Sequence, residues 1–489
     1  MKDILSADFQ LNTDLNPQNL LHGPLSPEQI QAVHDATIEV LSKTGFRFVC
    51  ESVRNVFKNN GFRVEDGKVY FTEDQLYRAL ETVPERFIIR GRNPKRDINM
   101  EPGTQSIGMG RGAIHIVEPD GSYRSATTED VVNSLKLSQY LDAVEHIGPL
   151  SYPFDIDWRN IHLWSTQAAI KYTDKAYNYA GRHDIDLNAL GYGTTRHQLM
   201  ERSDKTASPG QATAVVQSPL TVTQDDCQNM FEYARCGIAY HVASMPVAGT
   251  SGPCTIAGTI VLQNAENLGP IVFSQLVSPG TPVFYGAIAG HADMMSLRPR
   301  FGTPEARIFE RAGNQMARFY GLLCRGNVGL TDAPADDFQA GAQAMVNTLA
   351  VLQDGPNFLS CVGLLGSYLG ASLAKIMLDI EIVTLARRYL SPFRTDREAL
   401  APDVIAAVGP GGHFIEHEHT LENYRNEFLT ESLFRSPDYE KWKAAGKKVV
   451  VHLAREKALS LIEEYERPPI DPGLEEEVDR YVAANWYGA

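Results

Sequence analysis

From about residue 101 onward the chain repeats one unit: a short apolar or glycine-rich run, a polar loop, then an amphipathic helix pattern. The runs that read as strands are SIGMG (106–110), VEHIGP (144–149), YNYAG (177–181), ATAVVQ (212–217), YHVASMP (240–246), PVFYGAI (282–288), LLCRGNV (322–328) and FLSCVGL (358–364). Helix-like segments lie between them, among them TTEDVVNSLKLSQYL, DLNALGYGTTRHQLM, AGTIVLQNAENLGPIVFSQLV and SLAKIMLDIEIVTLARRYL. Strand and helix alternating eight times, with strands too apolar to face water on either side, is the pattern of an α/β protein with a closed parallel (β/α)8 TIM barrel. A doubly wound open sheet is the second choice.

The first hundred residues have another rhythm. SPEQIQAVHDATIEVLSKTG carries a Ser cap before Pro and a terminal Gly45, which predicts a helix with both ends marked. FRVEDGKVYF alternates around Asp66-Gly67 and predicts a hairpin, and TEDQLYRALETVP a second capped helix. The chain is therefore divided into a mixed α+β cap (1–100), a catalytic barrel (101–400) and a C-terminal extension packed on the barrel (401–489). In that extension VVVHLAREKALSLIEEYE and LEEEVDRYVAANW are amphipathic and suit a homo-oligomer interface as well as a barrel floor.

Composition narrows the partners. A formal net charge of −15, with no run of Lys and Arg, argues against nucleic acid. The cysteines (Cys50, Cys227, Cys236, Cys254, Cys324, Cys361) form no C-x-x-C and read as free packing thiols of a reducing compartment. The polar start, MKDILSADFQLNTDLNPQNL, does not read as a signal peptide, and no apolar run reaches the roughly 20 residues of a membrane span. A soluble, cytoplasmic protein is expected.

In a barrel the chemistry sits in the loops that follow the strands. Here those loops hold Ser151, Tyr152 and Phe154; Gly181 to His183; Gln217 and Ser218; Thr250 and Ser251; His291 and Asp293; Thr331 and Asp332; and Ser367 and Tyr368. They are rich in rings, amides and hydroxyls and poor in cations. The densest cluster lies beyond them, in VGPGGHFIEHEHTL (408–421), where His413, His417 and His419 surround Glu416 and Glu418. Its order is not H-E-x-x-H, and His413 and His417 could clip a metal only on a helix that the preceding glycines make doubtful. A capping or hydrogen-bonded loop role is favoured over zinc, with a substrate contact by His413 or Phe414 as a third reading. GMGRGA (108–113) and GPGG (409–412) miss the phosphate-loop spacings and read as tight turns, and Ser251 in GTSGP does not match a nucleophile elbow. Cys324 and Cys361, inside predicted strands, read as buried thiols. Each of Tyr152, Phe154, Trp158, Tyr179, Tyr285 and Tyr368 alone is more readily core than cage, but several rings at strand ends shift that balance.

PVAGTSGPCTIAGTIVLQNAENLGPIVFSQLVSPGTPVFYG, followed by FGTPEARIFERAGNQMARFYGL, TDAPADDFQAGAQAM and the closing VGPGGHFIEHEHTLENYRNEF with SPDYEKW, resembles the corrinoid-dependent trimethylamine methyltransferase family from about residue 25 to the end. The resemblance implies a (β/α)8 barrel that moves a methyl group from a methylated amine to the Co(I) corrinoid (cobalamin) of a separate small protein. Members that use trimethylamine carry pyrrolysine. This chain shows only standard residues and is similar to the non-pyrrolysine branch, whose members act on quaternary amines such as glycine betaine, or proline betaine or carnitine.

Chemistry agrees with that branch. A quaternary ammonium leaves as a neutral tertiary amine, so neither proton nor metal is required, and its methyl groups are held by aromatic faces at about 0.5–2 kcal/mol each. A betaine carboxylate wants cationic or N–H donors, for which Arg182, His183, His291 and His413 are nearest, His291 and His413 first. The substrate-binding set expected is Tyr152, Phe154, Tyr179, Gln217, His291, Asp332, Tyr368, His413 and Phe414, with no metal and no residue singled out as catalytic. The chain lacks the D-x-H-x-x-G corrinoid signature, so the cofactor is expected on a docking partner. Two other readings stand beside this one: a metal-dependent barrel hydrolase or lyase using His291, Asp293, His413 and His417, and a non-catalytic betaine binder.

Overall fold

The structure, a computed structural model, describes residues 23–488 except Ala180, His183, Glu431, Ser432 and Ser436, and the side chain of Tyr179 is likewise left out. The N-terminal stretch read above for a signal peptide, together with His183, lies outside the described residues.

Eight parallel strands close a barrel: β1 (Ser106–Met109), β2 (His146–Ile147), β3 (Ala176–Tyr179), β4 (Gln211–Val216), β5 (Ala239–Ser244), β6 (Val283–Gly286), β7 (Cys324–Asn327) and β8 (Phe358–Val362), the last pairing with the first. All eight coincide with the predicted runs, and the open sheet is excluded. The helices that follow them in turn are α1 (Thr128–Tyr140), α2 (Ile161–Tyr172), α3 (Asp184–Gly191), α4 (Gln224–Cys236), α5 (Ile256–Val277), α6 (Pro304–Phe319), α7 (Phe338–Asp354) and α8 (Leu373–Leu390). DLNALGYGTTRHQLM, expected as one helix, is two: α3 ends before Gly193 at φ 66, and Thr195 caps a second helix, Arg196–Glu201, through a reciprocal bond pair with Gln198.

The sequence reading took the strands as apolar on both faces. They are not. Period two sends Tyr240, Val242, Val283 and Tyr285 toward the helices, where all are fully buried. The opposite positions carry His146, Asn178, Gln211, Thr213, His241, Arg325, Asn327 and Ser360, a largely polar lumen.

One end of that lumen is sealed. A hairpin, Phe87–Arg90 with Ile98–Met100, pairs with Ala207–Pro209 just ahead of β4 and packs Phe87, Ile89 and Met100 against Phe284, Phe358 and Ala239. The rest of the N-terminal region lies against the outside of the barrel. Asp66 (φ 49) and Gly67 (φ 76) turn the predicted hairpin, Arg63–Glu65 with Lys68–Tyr70, as a two-residue loop with both φ angles positive requires. Thr221–Val222, after β4, adds in parallel to Phe46–Phe48. Phe46, Phe48, Phe57 and Phe71 are fully buried there with Phe273 of α5.

After α8 the chain makes an excursion through short helices, Arg397–Leu400, Pro402–Val408 and Glu418–Glu427, and then returns. Val450–Glu463 packs along α8, and Pro472–Asn485 packs Val478 and Val482 against Ile170 and Leu187 of α2 and α3. Among the described residues no helix is long and apolar enough to cross a membrane.

Candidate functional site

The lumen is built in layers above the apolar plug. The His146 ring stacks on Phe358 at a centroid distance of 3.8 Å, and its Nε2–H donates to the Leu359 carbonyl at 2.9 Å. Gly108 of β1 faces that ring: a Cβ there would stand 2.0 Å from Nδ1. Gln211 Nε2 donates to His241 Nδ1 at 2.7 Å. Burial, chiefly, pushes the His146 imidazole down to about 3 and the His241 imidazole well below its usual range, so both are neutral.

Those two histidines give a pH prediction. A His whose folded pKa is depressed binds fewer protons folded than unfolded, so its contribution is complete above about pH 6.5 and is lost as pH falls. For His146 the loss runs from 6.5 toward 3, at about 1.4 kcal/mol per pH unit. Urea unfolding at pH 7, 6 and 5 is expected to show a shallower pH slope for His146→Asn than for the parent; equal slopes would contradict a neutral buried imidazole.

Above the histidines lie two arginines that the sequence reading passed over. Arg111, after β1, donates to Asn178 Oδ1 at 3.2 Å and Thr213 Oγ1 at 3.1 Å, and its charge is further supported by the Tyr152 hydroxyl. Arg325 of β7 is only 5% exposed. Its Nη2 reaches Cys361 Sγ at 3.5 Å, while Nε and Nη1 have no hydrogen-bond partner. An arginine stays charged at any working pH, and a buried cation with two idle donors costs the fold stability unless an anion joins it.

Around Arg325 the groups are fixed in sequence. The Cys361 thiol donates to Asn327 Oδ1 at 3.1 Å, and the Tyr368 hydroxyl donates to the same oxygen at 3.2 Å. Glu310 of α6 holds Asn327 from behind, accepting from its backbone N at 2.7 Å and from Nδ2 at 3.2 Å, and is itself paired with Arg307. The Phe301 ring stands edge-on to Tyr368 with centroids 5.3 Å apart. Asp332 ties this wall together: its Oδ1 accepts from Phe301 N (2.8 Å), Gly302 N (2.9 Å) and Ser367 Oγ (2.7 Å). Its Oδ2, 3.5 Å from Arg300 Nε, is buried without a hydrogen bond. Three non-glycine residues, Cys361 (φ 89) near the end of β8 and Ser367 (φ 56) and Tyr368 (φ 76) in the loop after it, adopt positive φ, a concentration of backbone strain typical of functional sites.

The expected residues scatter relative to this wall. Tyr368 and Asp332 belong to it. Tyr152 lies beside Arg111, with its ring edge-on to His162 at 5.7 Å. Gln217 caps β4 through reciprocal backbone bonds with Thr221 and is exposed. Phe154 is 58% exposed. His291 sits in a small sheet beyond β6, its Nδ1 donating to the Ala292 carbonyl at 3.0 Å and its Nε2 3.7 Å from Glu305. Tyr179 ends β3. His413 and Phe414 lie on the excursion after α8, where no described residue is buried. There His417 is a helix N-cap whose Nδ1 accepts from His419 N at 3.1 Å, the capping role favoured above. Because the helix starts only at Glu418, His413 and His417 do not share a helical face. Among the described residues no group of three or more His, Cys, Asp or Glu is placed to hold a metal ion.

The sequence profile of the trimethylamine methyltransferase (MTTB) family matches residues 10–486. The chain belongs to that family. Over 468 residues it is 31% identical to the glycine betaine methyltransferase of Desulfitobacterium hafniense strain Y51, covering 94% of this chain and 96% of the other. It is 28% identical over 464 residues to the trimethylamine methyltransferase MttB of Desulfitobacterium hafniense strain DSM 10664 / DCB-2, covering 91% and 90%. Among solved structures, the Methanosarcina barkeri monomethylamine methyltransferase (MtmB) overlaps 91% of this chain and 93% of its own, with 13% identity and a TM-score of 0.45. Within a trimethylamine methyltransferase family barrel, Arg111 and Arg325 were legible as the rare cations inside GMGRGA and LLCRGNV; the signal was a lone charge in a run otherwise fit for burial.

Proposed function

We propose that this chain is a methyltransferase that takes a methyl group from a glycine betaine-like quaternary amine. The methyl acceptor is a co-substrate, the Co(I) corrinoid of a partner protein. The observation that carries the reading is Arg325: a buried guanidinium with two idle donors, linked through Cys361 and Asn327 by three hydrogen bonds to a Tyr368–Phe301 ring pair. A betaine has the matching halves, a carboxylate for the guanidinium and an ammonium for the ring faces. This reassigns the anion anchor from His291 and His413 to Arg325. Asp332, held by the Phe301 and Gly302 amides and the Ser367 hydroxyl and ion-paired with Arg300, fixes the loops that carry the two rings.

In the reaction the nitrogen–methyl bond breaks, its electron pair stays on nitrogen, and a neutral tertiary amine leaves with no proton transferred. The residues of this chain therefore orient rather than react. Arg325 and the rings aim one N-methyl group toward the open end of the lumen, where the acceptor has access, and the apolar plug closes the other end. The 31% identity to a glycine betaine methyltransferase supports the same substrate class.

The test is a panel of glycine betaine, proline betaine, carnitine and trimethylamine, each mixed with the chain and a Co(I) corrinoid protein, read as methyl-Co(III) absorbance. Turnover of a betaine and none of trimethylamine is expected; the reverse order defeats the assignment. Removing one ring face by Tyr368→Leu is expected to raise KM for the betaine roughly 2- to 30-fold, the range set by about 0.5–2 kcal/mol of cation–π attraction, in the same absorbance assay.

A further inference from the structure

Over the excursion between α8 and the last helices the described residues pack on almost nothing. Its two ends are pinned: Arg388 donates to the Glu427 carbonyl at 2.6 Å, and Leu433 N donates to Glu381 Oε1 at 3.0 Å. Between them, over residues 391–430, not one side chain is buried. The three helices of this arm are short, and helices of such length do not persist on local bonds alone. Ordering the backbone costs about 1–2 kcal/mol per residue, and within the arm only exposed ion pairs and local hydrogen bonds, with no buried side chain, oppose that cost.

The arm is not a polar tail. Phe393 (79% exposed), Ile415 (73%), Leu421 (65%) and Phe428 (73%) stand in water, with Leu400 and Ile405 also outward. It is acidic: Asp396, Glu398, Asp403, Glu416, Glu418, Glu422 and Glu427 outnumber Arg394, Arg397 and Arg425. The segment that follows has the opposite bias. In 433–457, Arg435, Lys441, Lys443, Lys447, Lys448, Arg455 and Lys457 outnumber Asp438, Glu440 and Glu456. This basic flank borders an apolar groove of about 270 Å³ lined by Phe338, Leu378, Ile382, Phe434, Val449 and Val450, with Phe338 92% exposed.

We propose that the arm 391–430 is a dimerisation element, its acidic apolar surface seated on the basic flank and groove of a second copy, which returns its own arm in exchange. Three observations select a second copy as the occupant. The two surfaces are complementary in charge and both apolar at their centres, and one chain carries both, which is what a two-fold interface needs. Between its pinned ends the fold buries no side chain of the arm, and a second copy of the same chain is available to cover it whenever the chain folds. The area also suffices: six large apolar side chains exposing on the order of 100 Å² each, doubled by symmetry and joined by the grooves, reach the roughly 1,200–2,000 Å² of a stable interface.

The experiment uses the full chain in sedimentation velocity at micromolar concentration. The parent is expected to sediment as a dimer or a multiple of one. Leu421→Glu/Phe428→Glu, on the arm and away from the lumen, is expected to give monomers that keep the far-UV circular dichroism of a folded barrel. Reversing the arm (Glu416→Lys/Glu418→Lys/Glu422→Lys) or the flank (Lys441→Glu/Lys443→Glu/Lys447→Glu) is expected to weaken assembly at least tenfold, and combining both reversals in one chain to restore it. A parent that stays monomeric overturns the proposal, including one that assembles only when a corrinoid protein or another partner is added. So does a dimer indifferent to all of these changes, or a combined reversal that fails to reassemble.

Discussion

Replacing Arg325 by Met lowers kcat/KM for a betaine by two to three orders of magnitude and, in the same protein, raises the melting temperature. The first effect follows from the proposed role. Removing the cation of a buried charge pair costs about 2–5 kcal/mol, and about 1.4 kcal/mol is a factor of ten in rate. The second follows from the free protein. Nε and Nη1 of Arg325 have no partner, and the side chain is 5% exposed. Methionine fills similar volume without a charge to desolvate, and exchanges of this kind have stabilised other folds by about 1–4 kcal/mol. The two readouts move in opposite directions only if the arginine is held for a ligand at the expense of the fold. A purely structural arginine would lose both together. Calorimetry and methyl-Co(III) formation on the same preparation decide it, and a variant that is less stable yet fully active sinks the assignment.

Gly108→Ala is expected to be strongly destabilising. The new methyl would stand 2.0 Å from His146 Nδ1 and 2.1 Å from Cε1. The ring has nowhere to go: it is stacked on Phe358 on one side and bonded to the Leu359 carbonyl through Nε2. Either the β1–β2 pairing opens or that stack breaks, a cost of about 3–5 kcal/mol by the usual scale of overpacking combined with a lost buried bond. Urea unfolding measures it. His146→Ala removes the obstruction, so the double variant is expected to be more stable than the sum of the two single losses by at least about 1 kcal/mol. A Gly108→Ala protein within about 1 kcal/mol of the parent would mean that the ring can retreat after all.

How much of this was legible beforehand varies with the range of the interaction involved. The eight strands and their order were readable because each is a short apolar run between turn-forming residues, and period and length settle such runs locally. The identity of the lumen was readable in principle. In LLCRGNV and YHVASMP a single Arg or His interrupts an apolar run, and a strand buried on both sides has room for such a residue only where the barrel encloses polar space. The total hydrophobicity of each run masked it. The position of VGPGGHFIEHEHTL was not readable. Its histidines suggested the mouth, but α8 starts at the mouth and, like every barrel helix, runs back against the strands, so the chain after Leu390 starts out from the sealed rim. That fact belongs to the topology and to no residue in the motif.

The plug formed by Phe87, Ile89 and Met100 has a kinetic consequence. A tube with a single door makes reactants queue. If the amine lies in the lumen and the bulky methyl acceptor must cover the only entrance, the amine has to be aboard before the acceptor arrives, and its demethylated remnant stays trapped until the acceptor lifts away. Steady-state turnover should then obey a compulsory order, with the spent amine competing against fresh amine but not against the acceptor.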